Sequence, residues 1–151
     1  MPSPAHPAVH LTVAAIAERD GRFLLVEESV GERLVLNQPA GHLEPDEDLP
    51  AAVVRETLEE TGWHFRPTAL VGIYHWRHPG TAQLYVRLAF CGELDHHEPG
   101  RSLDPDIRRV VWLTREELAA RTEHVRSPLV LAGIDDYLAG RRYGLEIFRS
   151  P

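Results

Sequence analysis

The chain has 151 residues, 16 Lys+Arg against 23 Asp+Glu for a formal net charge of −7, and hydrophobic and charged fractions of 43% and 26%. That balance excludes a disordered chain, and it excludes a binder of nucleic acid polymers, which needs clustered cations. The single cysteine, Cys91, excludes an intramolecular disulfide; in the apolar run LAFCGEL it reads as a core thiol rather than a nucleophile.

Residues 1–8 are Pro-rich and read as a loose lead-in to one domain spanning residues 1–151. They have neither a basic n-region nor an apolar h-region, and no later apolar run approaches a bilayer span. A cytoplasmic protein with no membrane partner is expected. Two apolar, β-favouring runs, residues 9–17 and 23–28, flank Glu-Arg-Asp-Gly, whose Asp20-Gly21 is a hairpin turn signal. The chain is therefore expected to open with a hairpin. Residues 33–37 form a short third strand leading to Gln38-Pro39-Ala40-Gly41, and a loop over 41–48 precedes a helix over 49–61. Asp48 is its expected N-cap, Pro50 sits in the first turn where its missing N–H has no helical partner, and Gly62 is the stop.

Residues 69–76 and 83–94 read as a second hairpin around Pro79-Gly80, and the polar stretch 95–105 as a mobile loop near a substrate site. Residues 107–113 are a further strand. Thr114 with Glu117 fits a capping box opening a short helix, and Ser127-Pro128 opens a last helix that runs to residue 138 and ends at Gly140. Strands interspersed with helices predict an α/β fold, a mixed sheet covered by helices on both faces.

The helix at 49–61 carries the chemistry. At 100° per residue, Glu56, Glu59 and Glu60 fall within an arc of roughly 100°, while Ala51, Val54 and Leu58 point to the other side. Three carboxylates that close raise each other's pKa unless a cation sits among them, so the face asks for a metal. Arg55 stands four residues before Glu59 and can meet it on the helix surface, orienting carboxylates by a bidentate contact that Lys would not reproduce. The plain alternative is a solvated acidic surface.

The spacing decides against that alternative. Gly41, Glu47, Arg55, Glu56, Glu59, Glu60 and Gly62 fill the seven fixed positions of the Nudix box, and the segment from Gly41 to Trp63 resembles it throughout. Thr57 departs from the aliphatic position and Trp63 fills the last apolar slot. Seven such matches arise by chance on the order of once in 10⁸ placements at about 7% usage per residue type. The resemblance implies an α/β/α sandwich that hydrolyses a phosphoanhydride bond with Mg²⁺, or Mn²⁺ in its place, on a small-molecule nucleotide or pyrophosphate substrate, as a monomer or homodimer. It further implies Glu59 and Glu60 as main metal ligands with Glu56 assisting and the Ala40 carbonyl completing the site. Glu47 would reach back towards Arg55 or Gly41. Water attacks phosphorus, and the acid taking its proton is left open among Glu56, Glu60, Glu98, Asp104 and Asp106.

More of the chain, residues 26–28, 36–44, 126–130, 140–143 and 145–146, resembles a bacterial phosphatase branch of the same family, the NudJ type. That likeness implies removal of phosphate from nucleoside tri- and diphosphates and from thiamine-pathway pyrophosphates such as hydroxymethylpyrimidine diphosphate and thiamine diphosphate. Tyr74, Trp76 and Tyr85 are candidates to stack on the substrate ring, with core packing as the plain alternative. The nine histidines show no metal-ligand spacing. Pro79, sixteen residues past Trp63, falls where ADP-ribose-cleaving relatives tend to carry proline, which keeps an ADP-ribose pyrophosphatase open as a second enzyme reading. A nucleotide-binding Nudix domain without catalysis is the third.

Overall fold

A computed structural model describes residues 5–151 of the chain; the first half of the expected lead-in lies outside the described residues, and residues 5–8 are exposed without regular structure. The strands are β1 (Val9–Ile16), β2 (Glu18–Arg19), β3 (Arg22–Val30), β4 (Arg33–Asn37), β5 (Ala40–His42), β6 (Trp63–Arg77), β7 (Leu84–His97) and β8 (Ile107–Leu113). The helices are α1 (Leu49–Thr61), α2 (Arg115–Ala119) and α3 (Pro128–Leu138). One sheet has the order β5-β1-β7-β6 and is mixed, since β1 and β7 run parallel; β3 forms the second sheet with β2, β4 and β8.

The sheets are covered on two faces. On one, Val13, Ala15, Leu88 and Phe90 pack with Ala52 and Val53 of α1; on the other, Ile16, Ala89 and Cys91 pack with Leu118 of α2 and with Val130 and Ile134 of α3. This is the mixed sheet between helices that the sequence predicts. Cys91 is a free, buried core residue, and burial pushes its thiol pKa up.

Several local expectations are corrected. Asp20 and Gly21 do adopt the positive φ of a tight turn (53° and 77°), but the hairpin they close joins β3 only to the two-residue β2. β1 belongs to the other sheet, paired with β5 and β7. β6 starts at Trp63, directly after Gly62, and runs through Pro67, because β6 is an edge strand and the ladder shifts register between Pro67 and Ala69. β7 continues to His97, so the loop expected at residue 95 begins only at Glu98.

Candidate active site

Helix α1 has the predicted bounds and caps. Asp48 accepts a hydrogen bond from Ala51 N–H at 2.7 Å, and Gly62 closes the helix at φ 76° with its N–H donated to Leu58 O. Its inward face, however, is the acidic side. Glu56, Thr57, Glu60 and Thr61 are buried with Ala52 and Val53, whereas Ala51 is exposed and Val54 and Leu58 are half-buried. Thr57, the departure from the box, is accommodated because its hydroxyl donates to Val53 O at 2.7 Å, leaving no unsatisfied polar atom against the sheet.

Arg55 organises the carboxylates. Its Nε and Nη2 hold Glu47 through both oxygens at 2.9 and 2.7 Å; Nη1 donates to Glu56 at 2.9 Å and Glu59 at 3.1 Å, and Nη2 also reaches the His42 carbonyl at 3.0 Å. Hydrogen bonding by Glu47 first, and by Glu56, holds the guanidinium pKa above its usual range. Glu47 is itself fixed by Glu44 N–H at 2.9 Å, and the Arg55 contact holds its carboxyl pKa low.

Glu56, Glu60 and Asp104 offer carboxylate oxygens within 4.8 Å of one another, the one such group of three or more possible metal ligands among the described residues. Asp104 is delivered by the β7–β8 loop, where its N–H donates to Glu59 O at 3.0 Å. Burial pushes the Glu60 carboxyl up to about 9; an N–H from Ala40 at 2.8 Å favours the charged form, while Glu28, Glu56 and Asp104 oppose it. Burial also pushes Glu56 up to about 7, although Arg55 works against this. Gly41 is required here: a Cβ at this position would collide with the Glu56 carboxylate.

A cavity of about 410 Å³ opens beside this group, with Ala40 and Gly41 in its wall. Those two residues touch Glu60 and Glu56, so the wall of the cavity and the backing of the carboxylates are one strip of chain. Strand register assembles the rest. β1 and β7 align Thr12 with Arg87, and β6 and β7 align Trp76 with Tyr85; Glu28 and Asn37 come from β3 and β4, and Arg126, Ser127 and Leu129 from the turn into α3. The Trp76 and Tyr85 rings lie 5.8 Å apart at 39°. Arg87 is 7% exposed and donates to Asn37 Oδ1 and, at 3.0 Å, to Gln38 Oε1, with Gln38 in turn donating to Val130 O at 2.9 Å. Burial lowers the Arg87 pKa to about 10, which still leaves it protonated at neutral pH.

The residues singled out from sequence divide accordingly. Glu47, Arg55, Glu56 and Glu60 come together, with Ala40 bonded to Glu60 through its N–H; Glu59 joins through Arg55 but not the close trio. Trp76 and Tyr85 line the cavity, whereas Tyr74 turns towards α3 and donates its hydroxyl to Asp136 at 2.8 Å. Asp106 is exposed and takes part through its backbone carbonyl, which accepts from Ser29 N–H at 2.8 Å; Glu98 pairs with His64 at 2.9 Å. Pro79 is exposed in the β6–β7 turn and outside the cavity wall. Sequence reasoning missed Arg87 and the ties among Asn37, Gln38 and Glu28. Its signal was present: an arginine in the middle of the apolar run LYVRLAF is a buried charge in need of a reason.

The NUDIX domain family model matches residues 7–132. Phosphatase NudJ from Shigella boydii and from Escherichia coli strain K12 are each 39% identical over 138 residues, which cover 91% of this chain and 89% of theirs. A NUDIX hydrolase structure from Nitrosomonas europaea superposes with a TM-score of 0.92 at 45% identity, covering 97% of this chain and 98% of that one. An ADP-ribose pyrophosphatase from Streptococcus suis, at 20% identity and a TM-score of 0.67, shares the fold. With its box, its carboxylate cluster and these likenesses in agreement, this chain belongs to the NUDIX domain family and is a Nudix hydrolase.

Proposed function

We propose that the chain is a Mg²⁺-dependent phosphatase of the NudJ kind, removing phosphate from nucleoside tri- and diphosphates and from thiamine-pathway pyrophosphates. The observation that carries this reading is the trio Glu56, Glu60 and Asp104, set behind the Ala40–Gly41 wall of the cavity. The donor set fits the ion: hard carboxylate oxygens, two of them buried and pushed towards neutrality by burial, are stabilised as anions by a divalent cation. Glu56, Glu60 and Asp104 would hold it, with Glu59 and the Ala40 carbonyl as further ligands. Mn²⁺ satisfies the same set. A cation held there screens phosphate charge and lowers the pKa of the attacking water.

The remaining roles belong to the chain's own groups. Arg55 and Glu47 keep Glu56 and Glu59 in place and take no part in bond making. In this reading one carboxylate of the trio accepts the water proton, since Glu98 pairs with His64 and the exposed Asp106 is outside the close group. Trp76 and Tyr85 cover the organic group of the substrate, and Tyr74 serves the fold. Pro79, the sequence argument for ADP-ribose cleavage, is not itself in the cavity wall. A panel of nucleoside phosphates, thiamine-pathway diphosphates and ADP-ribose with Mg²⁺, with products read by mass, tests the reading. Inorganic phosphate from the first two groups is expected; AMP from ADP-ribose as the fastest product would overturn it.

A further inference from the structure

Glu28 is a carboxylate in the cavity wall that the hydrolytic site does not use. It is outside the close trio, and its side chain is only 13% exposed. One oxygen, Oε1, is held by Asn37 Nδ2 at 3.2 Å and Arg126 Nη1 at 3.0 Å; Oε2 has no protein partner among the described residues. Its position is firmly set. The β3–β8 ladder shifts register between Glu27 and Glu28, and the next N–H, of Ser29, leaves that ladder for Asp106 O in the loop that also delivers Asp104. Behind it, Arg87 clamps the Asn37 and Gln38 carbonyl oxygens, so the Asn37 amide can present only its N–H₂ to Glu28.

The tilted rings of Trp76 and Tyr85 line the same cavity. A carboxylate accepts hydrogen bonds, and the Arg126 guanidinium beside it only donates. A planar ring that stacks on the aromatics therefore meets an acceptor next to donors. The edge complementary to that pattern is an amino group adjacent to an unprotonated ring nitrogen. A carbonyl in the amino position would face the carboxylate with two acceptors opposed and leave both undonated.

We propose that Glu28 is a specificity-determining residue, selecting substrates whose heterocycle presents an amino group next to a ring-nitrogen acceptor over those presenting a carbonyl next to a ring N–H. The inference rests on the proposed reading that the cavity seats the organic group of a phosphorylated substrate, and it names the ring class. Cytosine and uracil differ in this feature at nearly constant size.

The test is equilibrium binding of CMP and UMP to the full chain by calorimetry, in wild type and Glu28→Gln. Wild type should bind CMP about 10- to 100-fold more tightly, the range of a well-formed base-edge contact. In Glu28→Gln the amide can offer an N–H to the uracil carbonyl, so the preference should vanish or invert. Equal wild-type affinities, binding of neither nucleotide, or an unchanged preference in a folded Glu28→Gln protein would overturn the proposal. The wild-type ratio alone decides if that variant does not fold. A clear CMP preference without Mg²⁺-dependent phosphate release from CTP would count against the phosphatase reading and leave the ring selection standing.

Discussion

Gly41 ties the backbone to the chemistry. Because the collision of an added Cβ is with the far end of the Glu56 side chain rather than with backbone, Gly41→Ala should displace that carboxylate at little cost to the fold. Activity should fall by about 10² or more, as for other misplacements near 1 Å, with Tm nearly unchanged; steady-state kinetics beside a thermal melt checks both. Arg55→Lys keeps the charge but forfeits the fork that now makes five contacts to Glu47, Glu56, Glu59 and His42. It should cost about 1–3 kcal/mol of stability as well as activity, measurable by denaturant unfolding. Arg55 and the box acids were legible from spacing alone. Arg87 stood out as a charge in an apolar run, but its partners Asn37 and Gln38 were not legible, because they lie some fifty residues away and only strand register brings them together.

The buried carboxyls also set a pH dependence. Glu60 at about 9 and Glu56 at about 7 bind protons in the folded state that their ordinary value of 4.5 would release when unfolded. The folded form therefore carries more protons between pH 4.5 and 9, and the stability of the metal-free protein should decline as pH rises through that window. A divalent cation should reverse the decline and release protons on binding near neutral pH. Thermal melts from pH 5 to 9 in EDTA and in Mg²⁺ read this directly; a metal-free Tm that rises with pH would contradict the assignment.

Among the elements, helix α1 follows most closely from sequence, since its caps are local. Asp48→Ala removes the 2.7 Å bond to Ala51 N–H and should cost about 1 kcal/mol, a fall in Tm of roughly 2–4 °C. What the helical wheel could not tell is which face turns inward. Apolar periodicity favoured the side of Ala51, Val54 and Leu58, yet the protein buries Glu56, Thr57 and Glu60, because Arg55, the Val53 carbonyl and the Ala40 N–H supply their polar partners there. The strands were misjudged where pairing is long-range. Apolar alternation in β1 does not say whether its neighbour is β3 across a turn or β7 some seventy residues on, and Pro67 looked like a boundary when it is an edge-strand residue beside a register shift.

In the whole molecule, the box supplies two of the three clustered carboxylates, and both sheets contribute to the cavity beside them. The acids of α1 are contiguous in sequence, so the site's chemistry could be read early. The cavity is not contiguous: β1, β3, β4, β5, β6, β7 and the turn into α3 each give it one to three residues. Among the described residues, no helix is long and apolar enough to cross a membrane. In the proposed reading Glu60, with Glu56 and Asp104, supports divalent-cation hydrolysis of a phosphoanhydride. The most direct measurement is phosphate release from nucleoside triphosphates by wild type and Glu60→Gln, each in Mg²⁺ and in EDTA. Wild type should release phosphate in Mg²⁺ and not in EDTA, and the Mg²⁺ rate should fall by about 10² or more in Glu60→Gln. Wild-type release that persists in EDTA, or a Glu60→Gln rate within about tenfold of wild type, would contradict that reading.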